Sequence, residues 1–220
     1  MPKLMSKAKA LQVYQGLRAA HPDAHCELVH RSVYELLCAT VMSAQSTDVG
    51  VNKATPRLFA RFPDAHAMAV ARQEEVEELI NTIGMYRQKS KNLIALSKLL
   101  VERHGGEVPR TLDELVELPG VGRKTANVVL GVTWNNQEGI VVDTHVMRIA
   151  QRLGWSKNSD AVTVEQDLVK IFPRDEWNMV GHTIVFHGRR VCEARKPKCA
   201  DCTVAASCPS AGKAELVGRK

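Results

Sequence analysis

Residues 118–130 read "LPGVGRKTANVVL". Pro119, Gly120 and Gly122 stand between two stretches that each carry helical signals. Upstream, "TLDELVEL" opens on Thr111 with Glu114 three residues later, the pairing of a capping box. Downstream, Ala126, Val129, Leu130 and Thr133 recur at helical spacing and mark a face to be packed inward, with Lys124, Asn127 and Gly131 opposite, toward solvent. The stretch therefore predicts a helix, a tight hairpin and a second helix. Glycine allows positive φ and lets a ligand approach the backbone closely. The N–H groups of Gly120, Val121 and Gly122, together with the start of the second helix, would suit a phosphate. The same turn also joins helices that bind nothing, so at this point both readings stand.

Lys124 is oddly placed, in the first turn of that second helix. The positive end of the helix dipole disfavours an ammonium there, and Arg123 adds a second repulsion. Both effects favour the neutral amine, the form that builds Schiff bases. A solvated surface lysine would satisfy the same periodicity.

The helical pattern extends through the chain. Leu11, Tyr14, Leu17 and Arg18 predict a first helix ending before Pro22, and Val33, Leu36, Leu37 and Val41 a second. "SAQSTD" breaks the pattern, with Ser46 or Thr47 as the next N-cap, and Thr55–Pro56 suits a helix restart. "QEEVEELINTIG" predicts a short helix ending at Gly84, and "KSKNLIALSKLLVERHGG" a longer one. Thr163 with Gln166 forms a further capping box for "VEQDLVKIF". The run "GIVVD" is strand-like but too short to build a sheet. The fold class is all-α, with about ten helices of typical length. The polar gap "TWNNQEG" is where a domain break would fall.

Composition narrows the function. The 220 residues are 45% hydrophobic, enough for a core without staples. Thirty Lys and Arg against 24 Asp and Glu give +6 and favour a polyanionic partner. No apolar run is long enough for a membrane span, and the N-terminal "MPKLMSKAKALQVYQGL" lacks the apolar core of a signal peptide. A cytoplasmic setting with reduced thiols is expected.

Of six cysteines, Cys26 and Cys38 read as small buried hydrophobes. Cys192, Cys199, Cys202 and Cys208 form a C-x6-C-x2-C-x5-C array in "CEARKPKCADCTVAASC". Four thiols this close point to metal rather than disulfides, and thiolates serve zinc and iron–sulfur clusters alike. Between the first two lie Arg195, Lys196 and Lys198; with Arg189 and Arg190, this makes five basic residues against one acidic from His187 to Cys199. Held by a metal, such a loop could grip phosphates. Asp143, in "VVDTHVMRIAQRL", precedes a helix marked by Val146, Ile149 and Leu153, and is an N-cap candidate whose N–H donors keep the carboxylate ionised.

Taken together, "LPGVGRKTANVVL", "VDTH" and the cysteine array resemble the endonuclease III family of the helix–hairpin–helix DNA glycosylase superfamily, and "SAQSTD", "TIGMY" and "HGRRVC" are similar to further segments of it. The resemblance runs from about residue 10 to Cys208. It implies a bilobal all-α fold: a six-helix barrel over residues 26–136, and a second domain from residues 1–25 and 137–220 with a 4Fe–4S cluster on the four cysteines, zinc being the alternative. The active site would lie in the cleft between the two. Lys124 resembles the Schiff-base lysine and Asp143 its partner. Gln45 and Met85 match positions that fill and wedge the duplex when a base is flipped; leucine is common at the wedge, and methionine is more flexible. His145 matches a residue near the DNA backbone, and the hairpin Gly120–Gly122 with Arg195, Lys196 and Lys198 would add phosphate contacts.

The implied activity is that of a bifunctional DNA glycosylase and AP lyase, excising damaged, oxidised pyrimidines and cleaving the strand by β-elimination. Its partner would be double-stranded DNA with damaged bases or abasic sites, bound by a monomer on the nucleoid with no membrane involved. Two other readings compete. Monofunctional mismatch or adenine glycosylases generally lack a lysine at the position of Lys124. A non-catalytic DNA-binding module would use only the hairpin and the metal-pinned loop.

Overall fold

The computed structural model describes residues 3–218, so residues 1–2 and 219–220 of the second expected domain lie outside the described residues. No strand forms among the described residues. The chain divides into two compact units. Cys26–Glu138 is one; the described residues up to His25 and from Gly139 onward form the other.

The first unit holds α2 (Val33–Ser43), α3 (Asp48–Arg61), α4 (Ala65–Ala69), α5 (Gln73–Ile80), α6 (Tyr86–His104), α7 (Leu112–Val116) and α8 (Arg123–Trp134). Side-chain oxygens of Ser32, Thr47, Asp64 and Thr111 cap the starts of α2, α3, α4 and α7. The core gathers Leu36, Leu37, Leu58, Met68, Leu93 and Leu130. Long helix α6 packs against α2, α4 and α5, and α8 packs against α2 and α7.

The second unit joins both chain ends. It contains α1 (Lys7–Ala20), α9 (Thr144–Arg152), α10 (Ala161–Ile171) and α11 (Trp177–Arg190), followed by short 3-10 turns around the cysteines. Helix α1 packs on α10 and α11. The Tyr14 hydroxyl donates to Glu176 at 2.7 Å, and Arg18 pairs with the same carboxylate. Phe172 takes the rings of Tyr14 and Trp155 edge-on at 5.3 and 5.0 Å. Met5 N–H donates to the Gly154 carbonyl at 2.8 Å. Gly154 has φ +68°, and a Cβ there would stand 2.4 Å from the Lys3 carbonyl oxygen, so glycine is required where α9 turns under the N-terminal segment.

Three local expectations are corrected. Helix α3 runs through Pro56 instead of restarting at it. Val51, Ala54, Leu58 and Phe59 are buried on both sides of the proline, and that packing outweighs the hydrogen bond it removes. The N-cap of helix α10 lies three residues earlier than expected: it is Asp160, not Thr163, and its Oδ1 accepts from both the N–H and the hydroxyl of Thr163 at 2.8 Å. Helix α5 stops at Ile80, and the four residues to Gly84 form turns.

Candidate functional site

The hairpin forms as the sequence predicts. Leu118 and Val121 close successive turns, their N–H groups donating to Leu115 and Leu118 carbonyls at 3.1 and 3.0 Å. Gly120 has φ +81°, and a Cβ there would press within 2.6 Å of the Asn92 amide on α6. Only glycine fits that turn. Val121 is buried and fixes the hairpin to the core, whereas Gly122 is exposed with open space around its Cα. Gly122 is also the N-cap of α8, and no side chain caps this start. The first N–H groups of a helix lack intrahelical partners, so this uncapped start leaves donors to solvent or a ligand.

Helix α8 differs from its predicted wheel. Asn127 and Gly131, expected on the solvent face, are both buried. Asn127 Oδ1 accepts the Glu138 N–H at 2.9 Å, tying the end of the unit back to α8. Of the three residues assigned to solvent, Lys124 alone is exposed, and among the described residues no hydrogen bond or ion pair engages its ammonium.

Gln45 and Met85 lie in the same unit. Both are exposed, and both have left-handed backbones, φ +54° and +57°. Only three non-glycine residues among those described do so, and the state costs about 1–3 kcal/mol, a strain that collects at functional sites. Met85 is the N-cap of α6, again without a side-chain cap.

In the other unit, Asp143 caps α9, its Oδ1 accepting the Val146 N–H at 2.8 Å. It is half-buried, and among the described residues no hydrogen bond engages its second oxygen. His145 Nδ1 lies 3.2 Å from Arg148 Nη2. Arg148 is buried and also donates to the Gly188 carbonyl at 2.9 Å; burial lowers its pKa, and Arg152 lowers it further.

The four cysteines are free, half-buried and line one cavity with Arg152, His187 and Pro197. Burial raises the pKa of Cys202 and Cys208. Among the described residues no three Cys, His, Asp or Glu converge as a single ion needs. A tetrahedral zinc site, with Zn–S bonds of about 2.3 Å, would bring its sulfurs to about 3.8 Å of one another. The four thiols therefore line one space without meeting at one point among the described residues.

Arg152 lies against that space. It is fully buried, and its guanidinium donates to Cys192 Sγ at 3.3 Å and to the carbonyls of Val217, Cys192, Glu193 and Ala194. No carboxylate pairs with it among the described residues. A buried cation without an acidic partner is costly unless its donors are engaged, and here four carbonyls and one sulfur engage them.

The basic loop is sorted by its contacts. Arg195 and Lys196 are exposed. Lys198 pairs with Glu193 at 2.9 Å and donates to the Arg190 carbonyl, so it braces the loop. Arg190 pairs with Asp23 at 2.8 Å and stacks over Phe186.

Sequence reasoning missed Lys89, Arg148 and Arg152. The signals were present: Lys89 shares its helix face with Leu93, Leu96 and Leu100, and Arg148 with Arg152 is a like-charge i,i+4 pair, which repels unless something negative lies between.

These features coincide with a known class. Residues 38–174 match the model of the HhH-GPD superfamily base excision DNA repair proteins. The chain is 46% identical to Endonuclease III of Synechocystis sp. over 205 residues, covering 93% of this chain and 94% of the relative. It is 40% identical to Endonuclease III of Escherichia coli (strain K12) over 212 residues, covering 96% and 100%. A solved structure of a trapped endonuclease III–DNA covalent intermediate superposes with a TM-score of 0.89 at 42% identity, covering 97% of this chain and 99% of that one. The chain belongs to the endonuclease III family of that superfamily.

Proposed function

We propose that this chain is a bifunctional DNA glycosylase and AP lyase of base excision repair, removing oxidised pyrimidines from duplex DNA. The observation that carries this is Lys124: an exposed amine, unpaired among the described residues, on the start of α8 that no side chain caps, beside a glycine hairpin, in a chain of the endonuclease III family. An endonuclease III relative has been captured in a covalent intermediate with DNA, which supports covalent catalysis here.

The chemistry assigns each group a step. The hairpin N–H groups of Gly120 and Gly122 hold a phosphate without reading sequence. Gln45 and Met85 enter the duplex as the damaged nucleotide leaves the stack. The neutral amine of Lys124 attacks the sugar C1′. The bond from C1′ to the base breaks, and the base leaves with the electron pair and takes up a proton. The sugar ring opens to an imine on Lys124. Loss of a proton from C2′ then breaks the C3′–O bond and releases the 3′ phosphate, and water frees the lysine. Asp143 is assigned the carboxylate that takes up a proton and offsets the positive charge on the sugar. His145, Arg195 and Lys196 contact the backbone; Lys198 braces the loop that presents them.

We infer that Cys192, Cys199, Cys202 and Cys208 hold a 4Fe–4S cluster, with Arg152 balancing its charge. When bound, the cluster supplies a rigid anchor for the Arg195–Lys196 loop. No helix among the described residues is long and apolar enough to cross a membrane, and we place the protein in the cytoplasm, on chromosomal DNA, as a monomer.

A duplex with one oxidised pyrimidine tests the activity. The expected product is a cut strand ending in a 3′ unsaturated aldehyde and a 5′ phosphate. An abasic but uncut strand would assign a monofunctional glycosylase, and an unaltered strand a binding module.

A further inference from the structure

Lys89 is the buried cation of the first unit. It is 3% exposed, and burial lowers its pKa. Its ammonium donates to the carbonyls of Met42 and Ala44, at 2.7 and 2.6 Å, and to the Ser46 hydroxyl at 3.0 Å. An ammonium has three N–H donors, and all three are used. The acceptors span the end of α2 and the turn after it, where helix carbonyls lack intrahelical partners and a cation is favoured. They also flank Gln45 on both sides.

The other end of Lys89 holds Met85. The N–H groups of Gln88 and Lys89 both donate to the Met85 carbonyl at 3.0 Å. A Cβ built on Gly84 would lie 3.6 Å from the Gln45 carbonyl oxygen, so the two segments run side by side. One residue thus ties down both left-handed residues of this surface, by its backbone on one side and its ammonium on the other. Among the described residues no carboxylate accompanies Lys89. An apolar side chain in that place would leave the Met42 and Ala44 carbonyls without this donor. The ammonium instead fixes where two exposed side chains stand relative to each other.

We propose that Lys89 is a positioning residue that holds Gln45 and Met85 as one rigid pair for entry into the duplex as a nucleotide is extruded. This role rests on the reading of the chain as a base-extruding glycosylase. It predicts that Lys89 matters when a paired base must be displaced and not when the target is already free.

The test compares single-turnover strand cleavage on a paired oxidised pyrimidine in duplex DNA with cleavage at an abasic site in single-stranded DNA. Lys89→Met should lose about a hundredfold on the paired lesion and less than about threefold on the single strand, since a small misplacement of positioning groups has effects of that size. In a Gln45→Ala background the further loss from Lys89→Met should be small, because the two act on one step. Equal losses on both substrates, no loss on either, or full multiplication with Gln45→Ala would overturn the role. Should Lys89→Met fail to fold, Ser46→Ala removes one acceptor only and should lose about tenfold on the paired lesion alone; an equal loss on both substrates, or none, would again overturn it. A wild-type chain inactive on both substrates overturns the glycosylase reading itself, and with it this role.

Discussion

Helices α6 and α8 both begin without a side-chain cap, and both carry a lysine near the start. The outcomes differ. On α6, Lys89 is buried and every donor is engaged by the end of α2. On α8, Lys124 stands exposed beside the hairpin with its ammonium unengaged among the described residues. A cation at a helix start is unfavourable in either place. In α6 the opposing carbonyls of a neighbouring helix end offset that cost. In α8 nothing in the described structure does, and the amine is left for a substrate. The location of a lysine along a helix thus says little about its task; its partners decide.

The contrast can be broken by substitution. Lys124→Ala should lower strand cleavage by about 10⁴-fold or more, as removal of a nucleophile does. Its melting temperature should stay at the wild-type value, since exposed positions away from special contacts change stability by about 0.5 kcal/mol at most. A matched fall in stability and activity would make Lys124 structural.

Arg152 extends the comparison to the second unit, as a buried cation facing thiols instead of carbonyls alone. Arg152→Met should destabilise the protein by about 3 kcal/mol, because it strands the Val217, Cys192, Glu193 and Ala194 carbonyls at once. It should also lower bound iron below the roughly four atoms per chain of an intact 4Fe–4S cluster. Retention of full iron with unchanged melting would separate Arg152 from the cluster. Lys89→Met should cost about 2 kcal/mol, because it strands the Met42 and Ala44 carbonyls. Asp143→Ala removes the α9 cap and should cost about 1 kcal/mol in denaturant unfolding. Asp143→Asn should keep that cap yet lower the cleavage rate by about 10²-fold, as loss of a proton acceptor does.

The helices with strong periodicity and a polar cap were legible in the sequence. Thr47 and Thr111 start α3 and α7 because a short polar side chain before an apolar stripe has one dominant use. The hairpin was legible for the same reason: few residues but glycine fit positive φ. What escaped depends on tertiary packing. Pro56 sits inside α3 because its neighbours are buried, and Asn127 lies inside because its carbonyl meets a distant N–H. Asp160 outcompeted Thr163 as a cap because a carboxylate accepts two donors there. Lys89 and Arg152 carried a signal of burial, but their acceptors are backbone carbonyls, which have no sequence signature. The family itself was legible, because the hairpin, the "VDTH" segment and the cysteine array occur in one order and spacing.

Borohydride trapping on a duplex containing an abasic site, followed by peptide mass mapping of the DNA-bound protein, tests the role of Lys124 most directly. The predicted result is one covalent adduct on the peptide carrying Lys124, absent from Lys124→Ala. An adduct on another amine, or a Lys124→Ala protein trapped as efficiently as wild type, would contradict it.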